Sequence, residues 1–113
     1  ILCDGSIVDG ATLRDSIIGV RGRVRSGSTV ERTLLMGAGF FEAEPPPGLP
    51  GVGVGHDCLI RDAIVDVNAR IGDNVQIINA EGVTDGVETD TYSIRDGVVI
   101  IKGSAVIPPG TVI

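Results

Sequence analysis

Few side chains in this sequence are equipped for chemistry, and most of them stand alone. His56 is the single histidine, set between Gly55 and Asp57. A near-neutral pKa suits such an imidazole to general-base work, but its neighbours mark a turn and predict a solvated ring. Cys3 and Cys58 are the only thiols; two cysteines do not make a disulfide framework in a chain of this size, so free thiols are expected. Cys58 falls in a small-residue slot of the pattern described below and reads as packing. One histidine and no Cys/His cluster leave a protein-only zinc centre without ligands, and no metal site or catalytic residue is assigned. Lys102 is the sole lysine, and an ammonium presented near Arg95 could hold a phosphate. Arg21, Arg23 and Arg25 alternate along a turn, with Arg14 and Arg61 in equivalent places of two repeated blocks. Cations of this kind are expected outward, solvated beside acidic residues. Gly51-Val52-Gly53-Val54-Gly55 lacks the strand-to-helix setting of a phosphate loop and reads as a return into the repeat.

The elements that position these residues are written in the aliphatic rhythm. Ile7, Leu13, Ile18, Val24 and Val30 recur 47 residues later as Val54, Ile60, Val65, Ile71 and Ile77, mostly six apart with one five-residue step in each block. Ile101, Val106-Ile107 and Val112-Ile113 resume the step after an interruption. In Ile71-Gly72-Asp73-Asn74-Val75 the aliphatic residues point inward, while Gly72 and Asp73-Asn74 suit a corner with left-handed backbone angles. Three such steps close a triangular turn of 17 residues, which is expected to stack Val24 over Ile7, Val30 over Leu13, Ile71 over Val54 and Ile77 over Ile60. The pattern predicts an all-β parallel β-helix of hexapeptide repeats, buried as a stack because no single coil is stable alone. Parallel crossovers are right-handed in about 98% of cases, but repeats of this type resemble the left-handed exceptions, and a left-handed coil is expected.

Composition agrees with a narrow aliphatic core wrapped by corners. The 113 residues include 17 glycines but only two Phe, one Tyr and no Trp. A formal charge of −6 supplies no concentrated positive surface for a phosphate backbone, and no apolar run approaches the roughly 20 residues of a membrane span. Neither nucleic acid nor membrane is therefore an expected partner. The opening on Ile1, inside a patterned stretch, reads as a C-terminal piece of a longer protein.

Two excursions break the coil, at about 37–53 and 79–93, within a single domain 1–113. The first holds Phe40, Phe41 and a proline cluster; the second is acidic and ends near Tyr92. Every aromatic of the chain thus lies outside the repeat, and Phe40 and Phe41 are expected to pack against a partner domain.

Several segments carry a resemblance to a known family: Leu35-Met36-Gly37-Ala38, Ile64-Val65-Asp66-Val67-Asn68-Ala69-Arg70-Ile71-Gly72-Asp73-Asn74-Val75, Tyr92-Ser93-Ile94-Arg95-Asp96-Gly97, and the run from Ile101-Lys102 to Ile113. Together they resemble the C-terminal domain of ADP-glucose pyrophosphorylase (glucose-1-phosphate adenylyltransferase) of the plant, algal or cyanobacterial type. The resemblance implies a left-handed β-helix following a nucleotidyltransferase domain that is absent here. It implies an enzyme making ADP-glucose and pyrophosphate from ATP and glucose 1-phosphate with magnesium, for starch or glycogen synthesis. ATP and magnesium belong to the parent enzyme, with no cofactor in this domain.

The same resemblance implies that this domain serves assembly and allosteric control. Its partners would be its own catalytic domain, the other subunits of a heterotetramer or homotetramer, and a phosphorylated small-molecule effector. Lys102 corresponds to one of two family lysines that bind activator, and Arg95 and Arg70 lie in matched motifs, so these three form the implied effector site. The other family lysine is replaced by Val67, which suggests a large-subunit origin. Location would be the plastid for a plant or algal protein and the cytoplasm for a cyanobacterial one. Two other readings stand beside this: a hexapeptide-repeat acyltransferase with His56 as base, and a purely structural β-helix whose open ends pair with neighbours.

Overall fold

A computed structural model describes residues 1–113. Its strands are short because the pattern allows only two or three extended residues between corners. They are β1 (Ile7–Val8), β2 (Thr12–Arg14), β3 (Ile17–Ile18), β4 (Arg23–Val24), β5 (Thr29–Glu31), β6 (Leu34–Leu35), β7 (Gly53–Val54), β8 (Leu59–Arg61), β9 (Ala63–Val65), β10 (Arg70–Ile71) and β11 (Gln76–Ile77). Four more follow: β12 (Val87–Glu88), β13 (Tyr92–Arg95), β14 (Val98–Ile101) and β15 (Val106–Ile107). They form three sheets, ordered β1-β4-β7-β10-β15, β2-β5-β8-β11 and β3-β6-β9-β14-β13-β12. Successive strands of the coil visit the three sheets in rotation, and every pairing between coils is parallel. This is a three-faced parallel β-helix.

The interior follows from period-two alternation within each face. Ile18, Val24, Val30, Leu35, Val54, Ile60, Val65, Ile71, Ile77, Ile101 and Ile107 are buried and stack in columns. Two places before many of them lies a smaller buried side chain: Ser28, Cys58, Thr33, Ala63, Ala69, Ala105. Large and small residues so alternate across each narrow layer, which fills the coil without aromatics. The buried hydroxyls are satisfied locally, Ser28 donating to the Gly55 carbonyl at 2.7 Å and Thr33 to that of Glu31 at 2.8 Å.

Step length is set at the corners. Where six residues separate inward aliphatics, the left-handed residue stands three after the first, as at Asp57, Asn68, Asn74 and Ser104; in the five-residue steps it stands two after, as at Asp15, Arg32 and Asp62. The expected stacks Leu13–Val30, Val54–Ile71 and Ile60–Ile77 are formed. The first is corrected: Val24 pairs with Val8, and Ile7 pairs with Arg23 and stands 41% exposed. In the doublets Ile7-Val8, Ile17-Ile18, Leu34-Leu35 and Ile64-Val65 the second residue faces inward, and Gly10, left-handed two places after Val8, makes this corner a short step as well.

The first excursion is irregular, as expected, and the second is not. The first leaves after β6 and arches back over the face of β4, β7 and β10. The second contains structure: β12, β13 and β14 form an antiparallel meander that extends the third sheet. Tyr92 packs with Val83 and Val87 against the coil core. Phe40 and Phe41 do remain exposed. The third sheet also turns an apolar row outward, Ile17, Leu34, Ile64 and Ile100 in consecutive register.

Candidate functional site

Lys102 sits at the corner after β14, one coil above the corner of Asp66-Val67-Asn68. The amide of Asp66 donates to the Ile101 carbonyl and that of Ser104 to the Val67 carbonyl, each at 2.9 Å. Positions 67 and 102, separated by 34 intervening residues of sequence, are thereby neighbours on one edge of the coil. The Lys102 ammonium donates to Glu88 at 3.0 Å and to the Thr89 carbonyl. Glu88 comes from β12, so the meander that interrupts the repeat also supplies the counter-charge. The Lys102 and Glu88 side chains are 37% and 60% exposed, and a pair of this kind is weak.

Arg95 and Lys102 stand at opposite ends of one hairpin. In the β13/β14 hairpin Tyr92 lies opposite Ile101, while Arg95 lies opposite Val98 at the other end. The antiparallel register sets the backbone positions of the two cations roughly 13 Å apart along the strands, at about 3.4 Å per residue.

Arg70 is occupied within the chain. Its guanidinium donates to both Glu42 oxygens, at 2.9 and 2.7 Å, and to the Pro50 carbonyl at 3.1 Å. The paired side chains are only 14% and 13% exposed. Glu42 is held below the ordinary carboxylate range, chiefly by the hydrogen bonds from Arg70. Arg70 therefore pins the first excursion onto the coil. Arg25 pins it a second time, donating to the carbonyls of Val52 and Val54 at 3.2 and 3.1 Å.

His56 is exposed at its corner, as expected. Its Nδ1 shares a 2.9 Å hydrogen bond with the Ser26 hydroxyl, and its backbone N–H donates to Asp73 at 2.9 Å. Cys58 is buried; desolvation pushes its thiol up, and its Sγ donates to the Gly72 carbonyl at 3.1 Å. This is packing, with no base beside it. Sequence reasoning missed Glu42, which acts through the folded arch and belongs to no motif, and it expected Arg25 to be outward and solvated, whereas its guanidinium is bonded to backbone carbonyls. The one available signal was Arg25 itself, a long cation in a corner series otherwise built from Asp, Gly and Pro.

A three-faced parallel coil of hexapeptide steps, with its chemistry confined to corners and excursions, defines a non-globular scaffold domain. Within that class the chain matches the family described as GLGC left-handed parallel beta-helix domain over residues 1–112, and it belongs to this family. The family also gives the coil its left hand. The chain is 39% identical over its whole length to the glucose-1-phosphate adenylyltransferase small subunit, chloroplastic/amyloplastic, of Triticum aestivum, and spans 25% of that relative. It is likewise 39% identical to the glucose-1-phosphate adenylyltransferase small subunit of Zea mays, covering all of this chain and 97% of that sequence. Both relatives are named as small subunits, which lends no support to the large-subunit origin suggested by Val67.

Proposed function

We propose that the chain is the assembly and regulatory domain of a glucose-1-phosphate adenylyltransferase. The observation that carries this reading is the likeness over the entire chain to subunits of that name, gaps in the hexapeptide rhythm included. Adenylyl transfer from ATP to glucose 1-phosphate, with magnesium, would belong to a catalytic domain outside this sequence. That domain and the neighbouring subunits are the partners for which exposed Phe40, Phe41 and the outward row Ile17, Leu34, Ile64 and Ile100 are suited. The plastid designation of the wheat relative supports a plastid location.

In this reading a phosphorylated effector is held at the corner of Lys102, displacing Glu88. Arg95, at the other end of the hairpin, would meet the effector's far end or a partner. Arg70 joins only if Glu42 releases it, which would couple effector binding to movement of the arch. A phosphate bound more tightly in one packing of β-helix against catalytic domain shifts the enzyme toward that packing, and this differential affinity is the regulation.

Replacing Lys102 by Ala in the full-length enzyme is expected to raise the activator concentration for half-maximal activity by roughly tenfold, within the usual range of coupling. Activity without activator should stay the same. The converse variant Val67→Lys adds a second ammonium beside Lys102 and should lower that concentration. An activation curve that neither change moves would remove this corner from the effector site.

A further inference from the structure

We infer that the cavity beneath the first excursion binds a small hydroxylated oxyanion, a sugar phosphate or hydroxy acid, with Arg25 taking the anionic group and Asp73 and His56 taking a hydroxyl. The site shares no residue with the Lys102 corner, and the inference stands apart from the effector reading.

The cavity, about 370 Å³, lies between the arch residues Pro45, Leu49 and Gly51 and the corner residues Gly55, His56 and Asp73. That is the lower end of small-ligand pockets, about 300–1,000 Å³, and suits a molecule of triose or hexose size. Arg25 reaches it with only part of its guanidinium used. Both of its hydrogen bonds leave from Nη1, so Nε and Nη2 have no partner. A Cβ at Gly51 would stand 2.2 Å from Nη2, so the glycine is what gives that nitrogen its place. Glu42, the nearby carboxylate, is committed to Arg70 in both oxygens. Gly55, itself buried, lines the same space.

Arg25 is a half-buried cation whose Nε and Nη2 are open to solvent and bond to nothing in the chain, a fork left free for an anionic acceptor. Burial pushes Arg25 below its ordinary value, and Arg23 adds to the effect. An oxyanion supplies acceptors to both nitrogens in the fork geometry a guanidinium favours. At the opposite wall Asp73 uses one oxygen for the His56 amide. Its other oxygen rejects a second negative group and accepts a hydroxyl, which is why the ligand should be anionic at one end only.

The test is an NMR titration of the ¹⁵N-labelled protein, first with inorganic phosphate and then with glycerol phosphate. Saturable shifts are expected at the Arg25 Nε–H and at the amides of Gly51, Gly55 and His56, with glycerol phosphate the tighter of the two. Arg25→Gln should weaken binding by roughly tenfold or more, the scale of a lost charge-assisted fork. Because that variant also loosens the arch, Gly51→Ala serves as a second one: it keeps the charge and the Arg70–Glu42 pin, and only dislodges Nη2. It should weaken binding as well, whereas Lys102→Ala should not. Shifts centred on Lys102 with none at Arg25 or Gly55, shifts that never saturate, or affinities unchanged in both cavity variants would overturn the proposal.

Discussion

Cys3 and Cys58 place the same thiol in two environments. Cys3 is half-buried near one end of the coil, and Cys58 lies in its core with a raised pKa caused by desolvation. Thiolate is the reactive form, so iodoacetamide at pH 8 should modify Cys3 while Cys58 reacts only when the chain unfolds, as read by mass spectrometry with and without urea. Glu42 gives a pH prediction. Its folded pKa is depressed, so the carboxylate's contribution to holding the arch is complete above its ordinary value of about 4.5 and is lost as pH falls through the lower folded value. The ring resonances of Phe40 and Phe41 should report this acid release, and Glu42→Gln should show the released state already at pH 7. Lys102 stood out in the sequence because it is the only lysine. The commitment of Arg70 did not, since its partner Glu42 lies 28 residues away in a segment without periodicity.

At the scale of the element, the corners decide how the coil closes. Asn74 has φ of 58°, tolerated by asparagine better than by most residues. Gly53 at φ of 95° is more constrained, because a Cβ there would stand 2.5 Å from the Arg23 carbonyl oxygen. Gly53→Ala combines backbone strain of about 1–3 kcal/mol with that overlap, whereas Asn74→Gly should change stability by well under 1 kcal/mol. Urea melts of the two variants separate these outcomes. The six-residue rhythm made the faces and most stacks readable, and it failed where the code is degenerate. Ile7-Val8 offers two aliphatics of nearly equal merit, and only the position of the left-handed Gly10 says which turns inward. The meander of β12 to β14 was hidden for a different reason. Its strands pair with each other in antiparallel order, so they carry no six-residue signature, and Tyr92 is needed there as a plug.

For the whole molecule, stability rests on unbroken columns in place of a broad core. Ile60 and Ile71 are fully buried, each stacked between aliphatic neighbours above and below. Truncation of either to alanine should cost about 2–5 kcal/mol, and a loss below 1 kcal/mol by chemical denaturation would mean that the layers slide to refill the gap. The cavity of Arg25 could not be read from the sequence, because it exists only where an aperiodic arch lies across a periodic wall. That arch has another consequence. Coils on its two sides are joined by the rungs β4–β7, β5–β8 and β6–β9, none of which runs through the connecting loop. Covalent continuity between Pro47 and Gly48 is therefore dispensable to the architecture: a chain cut there should remain one particle, and two fragments expressed separately should find each other as complementary halves of a single ladder.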